Sequence, residues 1–227
     1  MVSTCHVQRS TVYKGAAPKP VPTGMFSFVM DDSGSMQGAR KDDMLEGFNT
    51  ALGTIKDRKA HDLVAVYPFA CRAQCAMGFT LAKRVDPEII RAKVDSADTG
   101  CYTALRDGIA LALDSIDRKR QKDFCELMVI TDGCENSSSI SEQDLREKIR
   151  SPGVKNFHLT LVYVGDSPSG VAQLKEIANG IDHVYVLSMK QAKGNFKKAF
   201  RTYIQQAQKL IETITVTQTF TRTVHKR

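Results

Sequence analysis

The sequence has no long hydrophobic run and no paired metal-binding cysteines. Nowhere do about 18 apolar residues follow one another, as a membrane-spanning helix requires, and residues 1–9 contain no apolar stretch of signal-peptide length. We therefore expect an intracellular protein. The six cysteines include no Cys-x-x-Cys pair, which favours free thiols in a reducing compartment over a disulfide framework or a zinc site.

Motifs of the common nucleotide-binding and catalytic classes are also absent. The sequence contains no Gly-x-Gly-x-x-Gly, no Walker A motif and no Gly-x-Ser-x-Gly nucleophile motif. Its five histidines are scattered along the chain and show no pairing. Because no general base stands out, we expect a protein that is not an enzyme. A metal-dependent hydrolase is the catalytic alternative.

The net charge of +7 is concentrated at the two ends of the chain. Residues 1–23 carry three basic side chains and no acidic one, and residues 190–227 carry nine basic side chains and one acidic one. The body between them is mildly acidic. Basic ends of this kind bind nucleic acid, an acidic partner or an anionic surface, or they are simply solvated. A nucleic-acid-binding protein that uses its basic termini is therefore the first alternative function.

Between the ends, the hydrophobic pattern alternates between strands and helices. Strands are predicted at 25–31, 63–70, 76–82, 124–131, 157–164 and 183–187, and helices at 39–56, 87–94, 104–117, 142–150, 171–179 and 191–211. This alternation predicts an α/β fold, with a doubly wound, mostly parallel sheet and helices on both faces. The short gap at 71–75 fits a hairpin, so one of the strands beside it is expected to be antiparallel.

The two ends are interpreted as segments outside the predicted domain, which spans residues 24–212. Residues 1–23 contain three prolines near their end and are predicted to form an extended arm. Residues 213–227 form a Thr-rich basic tail in which threonine occupies every second position up to residue 223. That period is typical of a strand, and a disordered tail is the alternative. An ordered strand would pair with a sheet edge or a second copy, so a self-assembling structural protein is the second alternative function.

Polar side chains follow two of the predicted strands at their carboxyl ends. Asp31, Ser33 and Ser35 come at the end of the first strand, and Asp132 directly follows the strand that ends at residue 131. Thr103 lies in a polar loop that leads into a predicted helix. Open α/β sheets place their ligand sites at this edge. Carboxylates and hydroxyls are hard oxygen donors of the kind that Mg²⁺, Mn²⁺ and Ca²⁺ prefer.

With these residues the sequence resembles the von Willebrand factor type A (vWA) domain family over roughly residues 25–210. The five side chains resemble that family's metal-ion-dependent adhesion site (MIDAS), with Asp31, Ser33, Ser35, Thr103 and Asp132 as the metal-binding residues. The resemblance implies a Rossmann-like, six-stranded sheet in the order 3-2-1-4-5-6, with strand 3 antiparallel.

The resemblance also implies a mode of action. The three hydroxyls would bind the cation directly, and the two carboxylates would bind it largely through water. Neutral ligands leave the ion able to accept an Asp or Glu of a partner protein. We therefore expect a divalent-metal-dependent protein–protein interaction module of the adhesion type, with Mg²⁺ as the expected ion and Mn²⁺ or Ca²⁺ as alternatives.

Two further features near these residues give additional expectations. Asp32 is interpreted as a surface acid, and Asp98 as either another surface acid or a group that tunes the metal site. Cys101 and Cys134 lie within two residues of Thr103 and Asp132, respectively. Oxidation of a thiol pair there would distort the site, and two inert small residues are the alternative interpretation.

Overall fold

A computed structural model describes residues 21–58, 60–95, 102–117, 122–151, 154 and 156–224, without the side chains of residues 210 and 214–224 in the last helix. The strands are β1 (Gly24–Asp31), β2 (Leu63–Phe69), β3 (Met77–Leu81), β4 (Phe124–Thr131), β5 (Phe157–Val164) and β6 (Val184–Met189). The helices are α1 (Ala39–Asp57), α2 (Pro87–Asp95), α3 (Leu105–Asp117), α4 (Glu142–Arg150), α5 (Pro168–Ala178) and α6 (Asn195–Val224).

The six strands form one sheet in the order β3-β2-β1-β4-β5-β6. All neighbouring strands are parallel except β2 and β3, which form an antiparallel hairpin. Helices α1, α2 and α6 pack on one face of the sheet, and α3, α4 and α5 pack on the other. This architecture is a Rossmann-like fold of the vWA type, and it confirms the predicted fold class, strand order and antiparallel strand.

The central position of β1 follows from its apolar sequence. All eight of its residues are buried, as expected for a parallel strand covered on both faces. Phe26 and Phe28 belong to the hydrophobic cluster under α1 and α6, whereas Met25 and Val29 belong to the cluster under α3, α4 and α5. Because β1 and β4 run parallel as direct neighbours, their carboxyl ends meet at one edge of the sheet.

Helix α6 is the main difference from the sequence prediction. It runs from Asn195 to Val224, so the strand predicted within 213–227 is wrong for residues 213–224. The first half of α6 is anchored by buried aromatic residues; the rings of Phe200 and Tyr203 lie 5.9 and 5.8 Å from that of Phe28. Once this half is formed, each further residue adds a hydrogen bond without a new nucleation cost. A β-branched residue opposes that extension by at most about 0.7 kcal/mol relative to alanine.

A buried ion pair ties the end of α1 to the amino end of the sheet. Nε of Arg58 lies 3.0 Å from Oδ2 of Asp62 in an ion pair, and the Asp62 side chain is fully buried. The second oxygen of Asp62 accepts a 2.8 Å hydrogen bond from the backbone N–H of Gly24. The guanidinium also lies over the rings of Phe26 and Phe124, 5.6 and 5.1 Å from their centroids. This pair therefore holds the start of β1 against the neighbouring strands.

Two of the sequence predictions concern parts of the chain that are described only in part or not at all. Of the arm predicted at 1–23, residues 1–20 lie outside the described residues. Among the cysteines that the structure describes, Cys71, Cys125 and Cys134 are free thiols, as predicted. No helix in the described ranges is both long and apolar enough to cross a membrane.

Candidate functional site

The candidate site begins where β1 ends, at a fully buried carboxylate. Asp31 is the last residue of β1 and has no exposed surface. Its Oδ1 accepts a 2.8 Å hydrogen bond from the backbone N–H of Ser33, and its Oδ2 accepts one from the hydroxyl of Thr131 at the end of β4. The carboxylate is therefore held from both strands in a single orientation.

A short 3-10 turn after β1 presents two serine hydroxyls to the end of β4. The turn spans Gly34–Met36, and fully buried Met36 anchors it in the core. The hydroxyl oxygens of Ser33 and Ser35 lie 3.1 Å apart. Ser35 also donates a 2.5 Å hydrogen bond to Oδ1 of Asp132, whose side chain is fully buried. The turn thus joins the two loops that follow β1 and β4.

Thr103 approaches the same point from the loop before α3. Its backbone N–H donates to Oδ1 of Asn136 at 2.8 Å, and its carbonyl accepts from the backbone N–H of Asn136 at 3.2 Å. A Cβ atom placed on Gly133 would lie 3.2 Å from Oγ1 of Thr103 and 3.7 Å from Oδ2 of Asp31. The missing side chain of Gly133 therefore leaves a small space that these two oxygens border.

All five residues singled out from the sequence thus meet at the carboxyl edge of the sheet. Glu135 stabilises the loop after β4, because its carboxylate accepts hydrogen bonds from the backbone N–H groups of Ser137, Ser138 and Arg106. Since Arg106 lies in the first turn of α3, these bonds attach the β4 loop to the helix that follows Thr103. The donors consequently lie on loops that are fixed to one another.

Burial makes this edge unfavourable for uncompensated negative charge. Desolvation raises the pKa of Asp31 to about 6; the hydrogen bonds from Ser33 and Thr131 oppose the rise, and nearby Asp132 adds to it. A buried carboxyl with a raised pKa gains from a proton or from a bound cation. The electrostatics therefore favour a positive ion beside Asp31.

Asp32 does not belong to this group of oxygens, and its interpretation as a surface acid is wrong. Its side chain is fully buried and forms a 2.5 Å ion pair with Lys41 of α1. Lys41 lies 3.7 Å from Asp95 at the end of α2. Burial raises the pKa of Asp32, and Lys41 partly offsets that rise. No local pattern indicates that a lysine nine positions later pairs with this acid.

Arg40 is a site residue that sequence reasoning missed. Its Nη1 donates hydrogen bonds of 2.8 Å to Oδ2 of Asp132 and 2.8 Å to the carbonyl of Ser35. With its amide oxygen turned towards the guanidinium, Gln191 accepts hydrogen bonds from Nη2 and Nε of Arg40. The Arg40 side chain is 42% exposed, so its charge faces solvent at the rim of the site. No sequence pattern links α1 to the loop after β6, where Gln191 lies.

The oxygen atoms at this edge fit a divalent cation. In an octahedral magnesium site with metal–oxygen distances of about 2.1 Å, neighbouring oxygens lie about 3.0 Å apart. The Ser33 and Ser35 hydroxyls are 3.1 Å apart, and Gly133 leaves space beside Thr103 and Asp31. In the described part of the chain no three His, Cys, Asp or Glu side chains form a metal-binding group. A cation here would therefore depend on the hydroxyls.

The remaining expectations near the site concern Asp98, Cys101 and Cys134. Asp98 and Cys101 lie outside the described residues. The thiol of Cys134 lies 3.4 Å from the hydroxyl of Ser169. Both the tuning role of Asp98 and the thiol-oxidation hypothesis therefore stay predictions.

Comparison with known proteins supports the same family resemblance. Residues 26–135 match the family model described as von Willebrand factor type A domain, and this range contains the five candidate residues. No curated protein sequence matches the chain.

Several solved structures share the fold at low sequence identity. The PilB minor pilin from Streptococcus sanguinis has a TM-score of 0.67 and 14% identity, with 84% of this chain and 62% of that chain covered. The vWF domain of the type V pili tip protein Mfa5 from Porphyromonas gingivalis has a TM-score of 0.62 and 12% identity, with 86% and 97% covered.

A third similar structure contains a metal. Proximal thread matrix protein 1 from the mussel byssus, with a zinc-occupied MIDAS motif, has a TM-score of 0.59 and 21% identity, with 82% of this chain and 46% of that chain covered. The chain thus spans about three fifths of the pilin and less than half of the byssus protein. At these identities the likeness shows the fold.

Proposed function

We propose that this chain is a protein–protein interaction module that depends on a divalent cation. The cation lies at the edge formed by β1, β4 and the loop before α3, and it binds an acidic side chain of a partner protein. The observation that carries the proposal is the convergence of three hydroxyls and two carboxylates on one point, with two of the hydroxyls 3.1 Å apart. Mg²⁺ is the expected ion, and Mn²⁺ and Ca²⁺ suit the same oxygen donors.

In this proposal Ser33, Ser35 and Thr103 hold the cation through neutral oxygens, and Asp31 and Asp132 balance part of its charge from just outside. A cation held in this way supplies an electrophilic position for a carboxylate of the partner. The chain's own residues fix that position. Thr131 and the N–H of Ser33 orient Asp31, and Asn136 orients the backbone of Thr103.

The surface beside the site also supports a role in protein binding. Tyr102 precedes Thr103, and it is 58% exposed. Exposed tyrosine and arginine side chains are enriched among the residues that contribute most to protein–protein affinity. Tyr102 and Arg40 come from opposite faces of the sheet, because α3 packs on one face and α1 on the other. A partner that contacts the cation would therefore meet one of these residues on each side.

The names of similar structures agree with an adhesion-type role. Two of them are a minor pilin and the vWF domain of a pili tip protein, and the byssus protein has zinc at its MIDAS motif. A binding role is accordingly proposed for the present site rather than a catalytic one.

The two alternative functions fare differently. Self-assembly through a Thr-rich strand loses its basis, because residues 213–224 are helical. Binding of nucleic acid by the basic ends stays a prediction; such binding would weaken steeply as salt concentration rises.

The proposal is tested by isothermal titration calorimetry of Mg²⁺ against the full chain and against Ser33→Ala and Asp31→Asn. We expect Mg²⁺ binding by the unmodified chain and its loss in both variants, since Ser33→Ala removes an oxygen donor and Asp31→Asn removes a negative charge, each with little change in volume. Ser115→Ala is the matched control, because that hydroxyl donates to the carbonyl of Leu111 within α3, away from the candidate site. Equal Mg²⁺ affinity in all four proteins would refute the metal site.

Partner capture is tested separately. The unmodified chain and Asp31→Asn are used as baits in the presence of Mg²⁺ or EDTA. Proteins retained by the unmodified chain with Mg²⁺, and released by EDTA or by Asp31→Asn, are the expected result. Retention of the same proteins under all four conditions would contradict a metal-dependent interaction.

A further inference from the structure

A groove lies next to the candidate metal site, between the start of α1 and the loop that joins β6 to α6. It has a volume of about 340 Å³, and its lining includes Arg40, Asp43, Gln191 and Lys193. Because β6 is parallel to β5 and β4, the loop after it emerges at the same edge of the sheet as the loops after β1 and β4. The groove and the candidate site therefore open on the same side of the molecule.

Arg40 belongs to both the groove and the candidate site. On one side its guanidinium bonds to Asp132 and to the carbonyl of Ser35. On the other side it bonds to the amide of Gln191. A ligand that reaches past Asp132 along this edge meets the Arg40 guanidinium next, and then enters the groove.

The net charge of the groove and its rim is positive. Asp43 is the one acidic residue among the described lining residues, and its charge remains while its Oδ2 accepts a 3.1 Å hydrogen bond from the backbone N–H of Phe196 near the start of α6. Lys193 and neighbouring Lys190 outnumber it even with Arg40 paired to Asp132. Arg40 is partly exposed, and Lys193 and neighbouring Lys190 are exposed. None of the described ion pairs involves either lysine. The groove consequently favours an anionic occupant.

We propose that this groove binds an acidic segment of the partner protein, so that the residues next to the captured carboxylate are themselves Asp or Glu and lie against Arg40 and Lys193. This inference rests on the proposed function, which supplies the first carboxylate contact. It adds a rule for partner choice: one acidic side chain is recognised at the cation, and the acidic side chains that flank it are recognised in the groove.

The test compares two synthetic seven-residue peptides, Gly-Ser-Glu-Asp-Glu-Ser-Gly and Gly-Ser-Ser-Asp-Ser-Ser-Gly, each with a fluorescent label. Their affinities for the full chain are measured by anisotropy in Mg²⁺ and in EDTA. We expect the Glu-flanked peptide to bind about tenfold more tightly in Mg²⁺, the effect of two exposed ion pairs acting together. That advantage should shrink as salt concentration rises.

Two charge-reversal variants locate the effect. Lys193→Glu should remove the preference for the Glu-flanked peptide and leave binding of the Ser-flanked peptide nearly unchanged. Lys83→Glu is the matched control: Lys83 is also exposed, but it follows antiparallel β3 and so lies at the opposite edge of the sheet. The control should keep the full preference.

The outcomes separate this inference from the proposed function. Equal, Mg²⁺-dependent affinity for both peptides, unchanged by Lys193→Glu, would overturn the groove and leave the metal-dependent function standing. Binding of the Glu-flanked peptide in EDTA that Lys193→Glu abolishes would support the groove and overturn the metal function. Binding of neither peptide would overturn both. Displacement of the Glu-flanked peptide by an equimolar single-stranded oligonucleotide would show that the groove takes phosphates, and it would overturn the acidic-peptide assignment.

Discussion

Gly133 gives a direct test of whether Thr103 is a metal donor. The substitution Gly133→Ala adds a Cβ that would lie 3.2 Å from Oγ1 of Thr103, about 0.2 Å closer than an ordinary van der Waals contact between such atoms. The hydroxyl must therefore move. Magnesium accepts only near-ideal octahedral distances of about 2.0–2.1 Å, so a shift of this size should weaken binding of the ion while leaving the hydrophobic core intact.

The expected loss of stabilisation follows from the coupling between Mg²⁺ binding and the stability of the native state. Magnesium present at 100 times its dissociation constant stabilises the native state by about 2.7 kcal/mol, and a tenfold loss of affinity reduces that to about 1.4 kcal/mol. For a domain of this size, each kcal/mol shifts the melting temperature by about 2–4 °C. We therefore expect the Mg²⁺-induced rise in melting temperature to fall by roughly half in Gly133→Ala, an effect that differential scanning calorimetry resolves.

The matched control is Gly53→Ala. A Cβ at Gly53 in α1 meets no atom within 4 Å, and alanine is favoured over glycine inside a helix by about 1 kcal/mol. This variant should melt at a higher temperature and keep the full Mg²⁺-induced rise. If Gly133→Ala also kept the full rise, with an unchanged dissociation constant by calorimetry, Thr103 would not be a metal donor.

Three further predictions concern the fold. Arg58→Ala leaves buried Asp62 without its cation and should lower the free energy of unfolding in urea by about 3–5 kcal/mol; a loss below 1 kcal/mol would contradict the role given to this pair. Burial raises the pKa of Glu126, so the folded state retains a proton that the unfolded state has released, and the free energy of unfolding should fall as pH rises above 4.5. Glu126→Gln should flatten that dependence in chemical denaturation, and an unchanged slope would refute it. Deleting residues 213–227 should reduce the helical circular dichroism signal at 222 nm, and the shortened chain should still unfold cooperatively. An unchanged signal at 222 nm would contradict the extended α6.

The fold could be predicted from the sequence because its signals are local and repeated. The predicted bounds of the strand at 124–131 and the helix at 142–150 agree with β4 and α4. In the Thr-rich tail, by contrast, local preference and tertiary context disagree. The threonine period is a strand signal, but the packed first half of α6 lets the helix continue through it.

The candidate site was partly predictable for the same reason. Asp31 ends a strand, Asp132 directly follows one, and Ser33 and Ser35 lie within four residues of a strand end; parallel strands end at a common edge. Arg40 and Gln191 could not be found in this way, because they meet through the packing of α1 beside the loop after β6. Their contact depends on how a helix is placed across the sheet, and no local pattern encodes that.

The polar contacts between the ends of β1 and β4 also bear on how these strands find their alignment during folding. Met30 lies opposite Ile130, and every residue of both strands is buried, so hydrophobic burial changes little if one strand slides along the other. A slip of two residues moves the strand by about 6.6 Å. Such a slip would cost Asp31 its hydrogen bond from Thr131, and it would separate buried Asp132 from Ser35 and Arg40, which donate to it. The oxygens proposed to hold the cation would thus also disfavour misaligned strand pairings that the apolar residues tolerate.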